Sequence, residues 1–475
     1  MFAAFLALVF LIGGGSRDDV SSLVFLRPAC AFFAAYALTV AAPGDVARVR
    51  APLLLLLALA VWMVIQVIPL PPGMWSGLPG RAALLEMDKL VGLEGTWRPI
   101  SLSPSKTMNA LASLVVPAAA LLLYAVQAND DRRRIFGLLI VAAVVSALLG
   151  IGQIASGGSG SLYLYSVTND GDAVGLFANR NHNAVFLATI FVIAAYVLSE
   201  LQRLSVRGDR SAWPILVGGA CLLVLTTLLV NGSRAGLLIG VLGLGMAAAL
   251  YVAARRGESR ENDHMHGSKL MRYLPVAAVL LVAVGAAAFL FTRSSSFDRL
   301  VSLSVADEIR VQVFPQIVRM AQDNWLLGTG FGSFEHAYRP YEASEWLNQT
   351  YLNNAHDDWL QWIIEGGLPA ILIALAFMLW LGRTALGHWR ARGRNPAQTR
   401  LVATALGVLV LLLVASALDY PLRVPSMMLY AVLMVALVAD PPEPQQKAER
   451  RGSGRGEARS RRAAPGVAEY KGAVQ

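Results

Sequence analysis

The chain has 475 residues, 56% of them hydrophobic and only 15% charged, with a formal charge of +9 and a mean hydropathy of +0.54. A soluble globular chain carries roughly a quarter charged residues, and here the charges fall in short stretches between long apolar runs, which excludes an ordinary soluble enzyme. The runs are too long, and alternate too little, for barrel strands, so backbone satisfaction in hydrocarbon requires helices and predicts an all-α polytopic membrane protein.

In chain order, twelve spans are predicted, at 2–15, 23–42, 51–70, 108–127, 135–155, 181–200, 214–231, 235–253, 274–292, 366–385, 401–418 and 426–440. The first is short and lacks a basic leader, so it reads as an uncleaved span. Cys30 and Cys221 both lie in apolar runs, which makes them core or lipid-facing residues and implies no disulfide framework. Orientation follows from Lys and Arg near helix ends, which favour the cytoplasm. With the N-terminus inside, 26 of the 40 basic residues fall in cytoplasmic segments. Thirteen fall outside, nine of those in two long loops. Both termini are therefore expected in the cytoplasm. The positive charge is a topology signal, and no nucleic-acid partner is implied.

The expected organisation is a transmembrane domain over 1–440, with a large periplasmic loop at 293–365 inserted in it. A basic tail follows at 441–475, where arginines among Gly, Ser and Pro predict disorder. The outer segment 71–107 has too few periodic apolar positions for a large domain. Residues 293–365 contain ADEIRVQVFPQIVRMAQDNW, which reads as an amphipathic helix, then GTGFGSFEHAYRPY and NNAHDDWLQWIIEGG. A small helical cap on the membrane surface is expected there.

Arginines on the outer face run against the topology rule. Arg180, Arg234, Arg310, Arg339 and Arg423 all stand there, and guanidinium groups can grip an anion such as phosphate bidentately. The alternative for each is an ion pair with a nearby acid or a side chain reaching for lipid headgroups. His356, in AHDDW at the start of a span, has the chemistry of a general base, although a structural, hydrogen-bonding histidine is the ordinary alternative. Asp170 and Asp172 form a D-x-D in an outer loop, but nothing completes a calcium loop around them. No metal site is expected.

Seven outer segments occur in an ordered set: QVIPLPPGMW (66–75), PISLSPSKT (99–107), GLFANRNHNAVFLA (175–188), NGSRAGLL (231–238), GTGFGSFEHAYRPY (328–341), NNAHDDWLQWIIEGGLP (353–369) and SALDYPLRVP (416–425). Together they resemble the O-antigen ligase and O-antigen polymerase superfamily of membrane glycosyltransferases. The resemblance implies a GT-C-like helical fold and a glycan donor on undecaprenyl pyrophosphate. It also implies inverting transfer with neither metal nor cofactor, at the periplasmic face of the bacterial inner membrane. By position, Arg234 and Arg310 look like the family's pyrophosphate-binding arginines, Arg180 is a further candidate, and His356 looks like its catalytic histidine. Where the family commonly has Asn after that histidine, this chain has Asp357, a candidate for orienting the base.

A ligase would pass the glycan to lipid A-core or another acceptor, whereas a polymerase would pass it to the next lipid-linked repeat of an O-antigen or exopolysaccharide. A transporter or flippase is the alternative from another class. Ion-coupled carriers place ionisable residues near the midplane of their spans. The predicted spans carry almost no charge in their central thirds, which counts against that alternative.

Overall fold

The computed structural model describes residues 1–205, 212–259, 305–342, 352–393 and 395–441. The predicted span at 274–292 and nearly all of the predicted tail lie outside the described residues. Among the described residues, nine helices are long and apolar enough to cross a membrane, and two shorter apolar helices, Phe2–Ile12 and Pro425–Ala439, fall on the first and last predicted spans. The chain is an all-α, multi-pass membrane protein. A two-stranded antiparallel ribbon joins the ends of the first long loop, with Pro69 opposite Pro99 and Leu70 opposite Arg98.

The centre of the bundle is the helix Arg180–Ser205, whose apolar window is 72% buried, against 17–50% for the other spans. Its neighbours are Arg234–Ser259, Trp213–Val230, Asn129–Ala155 and Pro396–Ala415. Large apolar side chains such as Phe25, Ile215, Val241 and Leu379 face outward on the surrounding helices, as a lipid environment allows.

The Arg180 and Arg234 helices are parallel and unusually close. A Cβ at Gly236 would stand 2.2 Å from that of Ala184, and one at Gly243 would stand 2.6 Å from the carbonyl oxygen of Ala188. Small residues let membrane helices approach until backbones touch. In this pair the approach brings the two N-termini, and with them Arg180 and Arg234, to the same end of the bundle.

The span predicted at 366–385 begins earlier, within the single helical run Asp358–Arg390. That run breaks at Gly367, with φ +63 and ψ −160, so its first turns form a separate short rod. The helix Val305–Asn324 packs on this rod through Val313, Ile317, Met320, Ala321 and Ile364. The Val305–Asn324 helix thus forms a cap on the rod, with a small apolar core between them.

The glycines of GTGFGS weld the cap to the rod. Gly328, Gly330 and Gly332 all have positive φ (+72, +95 and +80), where a side chain is strained. Thr329 N–H donates to Ile364 O at 2.9 Å and Gly330 N–H to Glu365 O at 3.0 Å. A Cβ on Gly328 would lie 2.3 Å from Glu365 O, so backbone meets backbone. Residues of the QVIPLPPGMW and PISLSPSKT segments close on the same loop. Leu102 N–H donates to Thr329 O at 2.8 Å, Thr107 Oγ1 donates to Phe331 O at 2.8 Å, and Gln66 Nε2 donates to Glu365 O at 2.8 Å.

Candidate active site

The residue before the rod's cap is His356, the one non-glycine residue with positive φ (+53) among the described residues. Such a backbone costs a non-glycine residue of order 1–3 kcal/mol and persists only where surrounding contacts hold it. The contacts lie on both sides of it. Asp358 N–H donates to Ser416 O at 2.7 Å, and Ala355 N–H donates to Gln361 Oε1 at 2.8 Å.

The imidazole is held in turn. His356 Nδ1 lies 3.0 Å from Asp419 Oδ1, in the turn between the last two helices. Asp419 is 1% exposed, and its other oxygen accepts from Asn181 Nδ2 at 2.8 Å. His182 Nε2 stands 3.9 Å from the same oxygen. Tyr420 presents its ring between the two histidines, with centroids 5.0 Å from each in edge-to-face geometry. Where the Asp419 carboxylate accepts the Nδ1 proton, Nε2 is the ring nitrogen left with the lone pair.

The network continues away from Asp419. Ser233 Oγ donates to Asn181 Oδ1 at 2.8 Å and also accepts from Gly236 N–H at 2.9 Å, capping the helix that Arg234 opens. Asn231 Nδ2 donates to Arg180 O at 3.1 Å and to Ala173 O at 2.7 Å. Arg180 pairs with Asp172 at 2.9 Å. Three helices therefore begin around this network, at Arg180, Arg234 and Asp358, and their N-terminal ends carry positive partial charge. Asp172 of the D-x-D is committed to Arg180. Among the described residues, no group of three or more His, Cys, Asp and Glu side chains is gathered as for a metal.

Asp357, the candidate for orienting His356, is turned to the start of its own helix. Its carboxylate caps its own helix, accepting from Leu360 N–H at 3.0 Å. Burial pushes its pKa above the usual carboxylate value, against the lowering effect of hydrogen bonds from the Leu360 and Trp359 backbone. The carboxylate on the histidine is that of Asp419, which the sequence reading did not single out. The signal available was an acid, Asp419, inside SALDYPLRVP between two apolar runs.

Arg310 belongs to the helix Val305–Asn324, but its side chain lies outside the described part of the structure. Arg339 is a surface residue, 65% exposed and paired with Glu335 at 3.1 Å. Arg423 sits at the foot of the rod, donating to Asp358 at 3.2 Å and to Glu365 at 2.9 Å. Burial alone would lower its pKa, and the Glu365 and Asp358 carboxylates more than reverse this. Glu365, fully buried, also accepts from Phe334 N–H and Gln361 Nε2. Arg423 is thus a structural tie between the cap, the rod and the final turn.

Residues 219–375 match the family model described as O-antigen ligase. The matched segment contains Arg234, Arg310 and His356. No curated protein matches the chain.

Proposed function

From a chain whose residues 219–375 carry an O-antigen ligase domain, we propose a metal-independent inverting glycosyltransferase of the ligase type. It moves a glycan en bloc from undecaprenyl pyrophosphate to an acceptor hydroxyl at the periplasmic face of the inner membrane. The observation that carries this reading is the pairing of His356 with a buried Asp419 at 3.0 Å, one hydrogen-bond network away from the helix starts bearing Arg180 and Arg234.

The chemistry needs few parts. A lipid pyrophosphate is already a good leaving group, so it requires no acid. Its negative charge grows as the sugar departs, and fixed guanidinium groups and helix N-termini aimed at that charge lower the barrier. Arg180, Arg234 and Arg310 take that role. His356 Nε2 removes the proton of the acceptor hydroxyl as it attacks the anomeric carbon, while Asp419 holds the ring and stabilises the imidazolium that forms. Attack from the face opposite the leaving group inverts the anomeric centre.

The test supplies purified protein with a polyprenyl-pyrophosphate glycan and a panel of saccharide acceptors. Extension of an acceptor by the intact protein, lost separately in His356→Ala, Arg234→Ala and Arg310→Ala, is the expected result. Undiminished transfer by all three variants would sink the proposal. Whether lipid A-core or another repeat unit is extended distinguishes ligase from polymerase.

A further inference from the structure

A cavity of about 270 Å³ opens beside the segment that carries His356, although the imidazole does not line it, near the lower end of the roughly 300–1,000 Å³ of ordinary ligand pockets. Asp358 and Asn353, which flank His356 in the chain, both border it. Arg180, Arg234, Asn181 and Asp419 do not. The segment 353–358 therefore borders this cavity and also carries His356, whose imidazole joins the Asp419 network that leads to the helix-start arginines.

The lining of the cavity is polar, with four basic and four acidic residues in balance. Lys106 pairs with Asp18 at 2.8 Å, and Arg423 is held between Asp358 and Glu365. Arg27 donates to Asn109 Oδ1 at 2.6 Å. Amides of Asn109, Asn353, Asn354 and Gln361 face the same space, and Trp362 forms an apolar wall, its indole N–H anchored on Ala370 O at 2.9 Å. An anionic guest would meet Asp18, Glu335, Asp358 and Glu365, and a cationic one Arg17, Arg27, Lys106 and Arg423, so the lining favours neither sign. Amides beside matched ion pairs suit hydroxyl groups instead, and an indole suits the C–H face of a pyranose.

We propose that this cavity is the acceptor subsite and that it holds an uncharged saccharide ring. The inference rests on the glycosyltransferase reading and adds to it which side of His356 the acceptor approaches from, and that its terminal sugar is neutral. Donor pyrophosphate and acceptor sugar then reach the base from opposite sides of segment 353–358.

The experiment uses the full-length protein in lipid nanodiscs and saturation-transfer NMR with methyl glucoside, methyl galactoside and methyl glucuronide as probes. At least one neutral glycoside is expected to receive saturation, and the glucuronide is not. Ala110→Trp, which fills the cavity, abolishes the signal. Asn353→Ala, which removes one amide, weakens binding about five- to tenfold and carries the test should the larger substitution prevent folding. His356→Asn keeps glycoside binding while losing transfer. Absence of neutral-glycoside binding, binding unchanged by Asn353→Ala in folded protein, or preference for the glucuronide overturns the subsite. Absence of transfer by the parent protein overturns the glycosyltransferase reading instead, whatever the glycosides do, and transfer that survives His356→Asn removes His356 as its base.

Discussion

Asp419 takes His356 Nδ1 on one carboxylate oxygen at 3.0 Å and Asn181 Nδ2 on the other at 2.8 Å, so one buried acid ties the rod's first residues to the start of the central helix. It belongs to neither element, and its position in the turn between the last two helices makes the placement of the His356 imidazole depend on the C-terminal spans. Asp419→Asn keeps the volume but removes the charge and the tautomer preference. Single-turnover transfer is expected to fall about 10²-fold or more, within the range for general base catalysis, with donor binding unchanged. Equal rates in variant and parent would remove Asp419 from the mechanism.

The backbone at His356 supplies a second test. Asn tolerates the left-handed conformation that φ +53 demands better than other side chains do. His356→Asn and His356→Ala should both lose transfer, and the Asn protein should be the more stable by about 1 kcal/mol. Thermal unfolding in detergent checks the order. An Ala variant that melts higher would show that the conformation is not strained.

Removing Arg423 isolates Glu365, which is fully buried. Breaking one partner out of a buried pair costs about 3–5 kcal/mol, so Arg423→Met is expected to lower the melting temperature sharply. Adding Glu365→Gln should recover part of the loss. A single variant as stable as the parent would contradict the tie.

Asp357 gives a pH prediction with a definite sign. Its pKa is raised in the folded state, so the folded chain binds more protons than the unfolded chain just above pH 3.8. Its contribution therefore favours folding at acid pH and is lost as pH rises through the folded pKa. Asp357→Asn retains the helix cap and should flatten that part of the stability profile. It should also leave transfer near parental levels, because the base is held by Asp419. Loss of transfer with the fold intact would return Asp357 to the base-orienting role.

Gly328→Ala forces a Cβ to within 2.3 Å of Glu365 O at a φ of +72. Destabilisation of about 2 kcal/mol or more is expected, with reduced yield of folded protein. An unaffected melting curve would mean that the cap and rod are not welded there.

The membrane class and the succession of spans were legible in the residue order, because hydropathy is a local property and a helix in hydrocarbon must satisfy its own backbone. Eleven of the twelve predicted spans coincide with described helices, and the remaining one, 274–292, lies outside the described residues. The start of the rod was less legible, since the turns from Asp358 to Gly366 pack on the Val305–Asn324 helix as a rod separated from the following span by the break at Gly367. The choice of carboxylate was not legible at all. Asp357 is the histidine's neighbour in the chain, yet its side chain is drawn to the amides of its own helix start, while Asp419, 63 residues on, is carried to the imidazole by the packing of the last two spans. Apolar patterning decides which segments enter the membrane. Which polar groups meet at its edge depends on helix register and on the close approach that glycines such as Gly236 and Gly328 permit, and only the folded chain sets those.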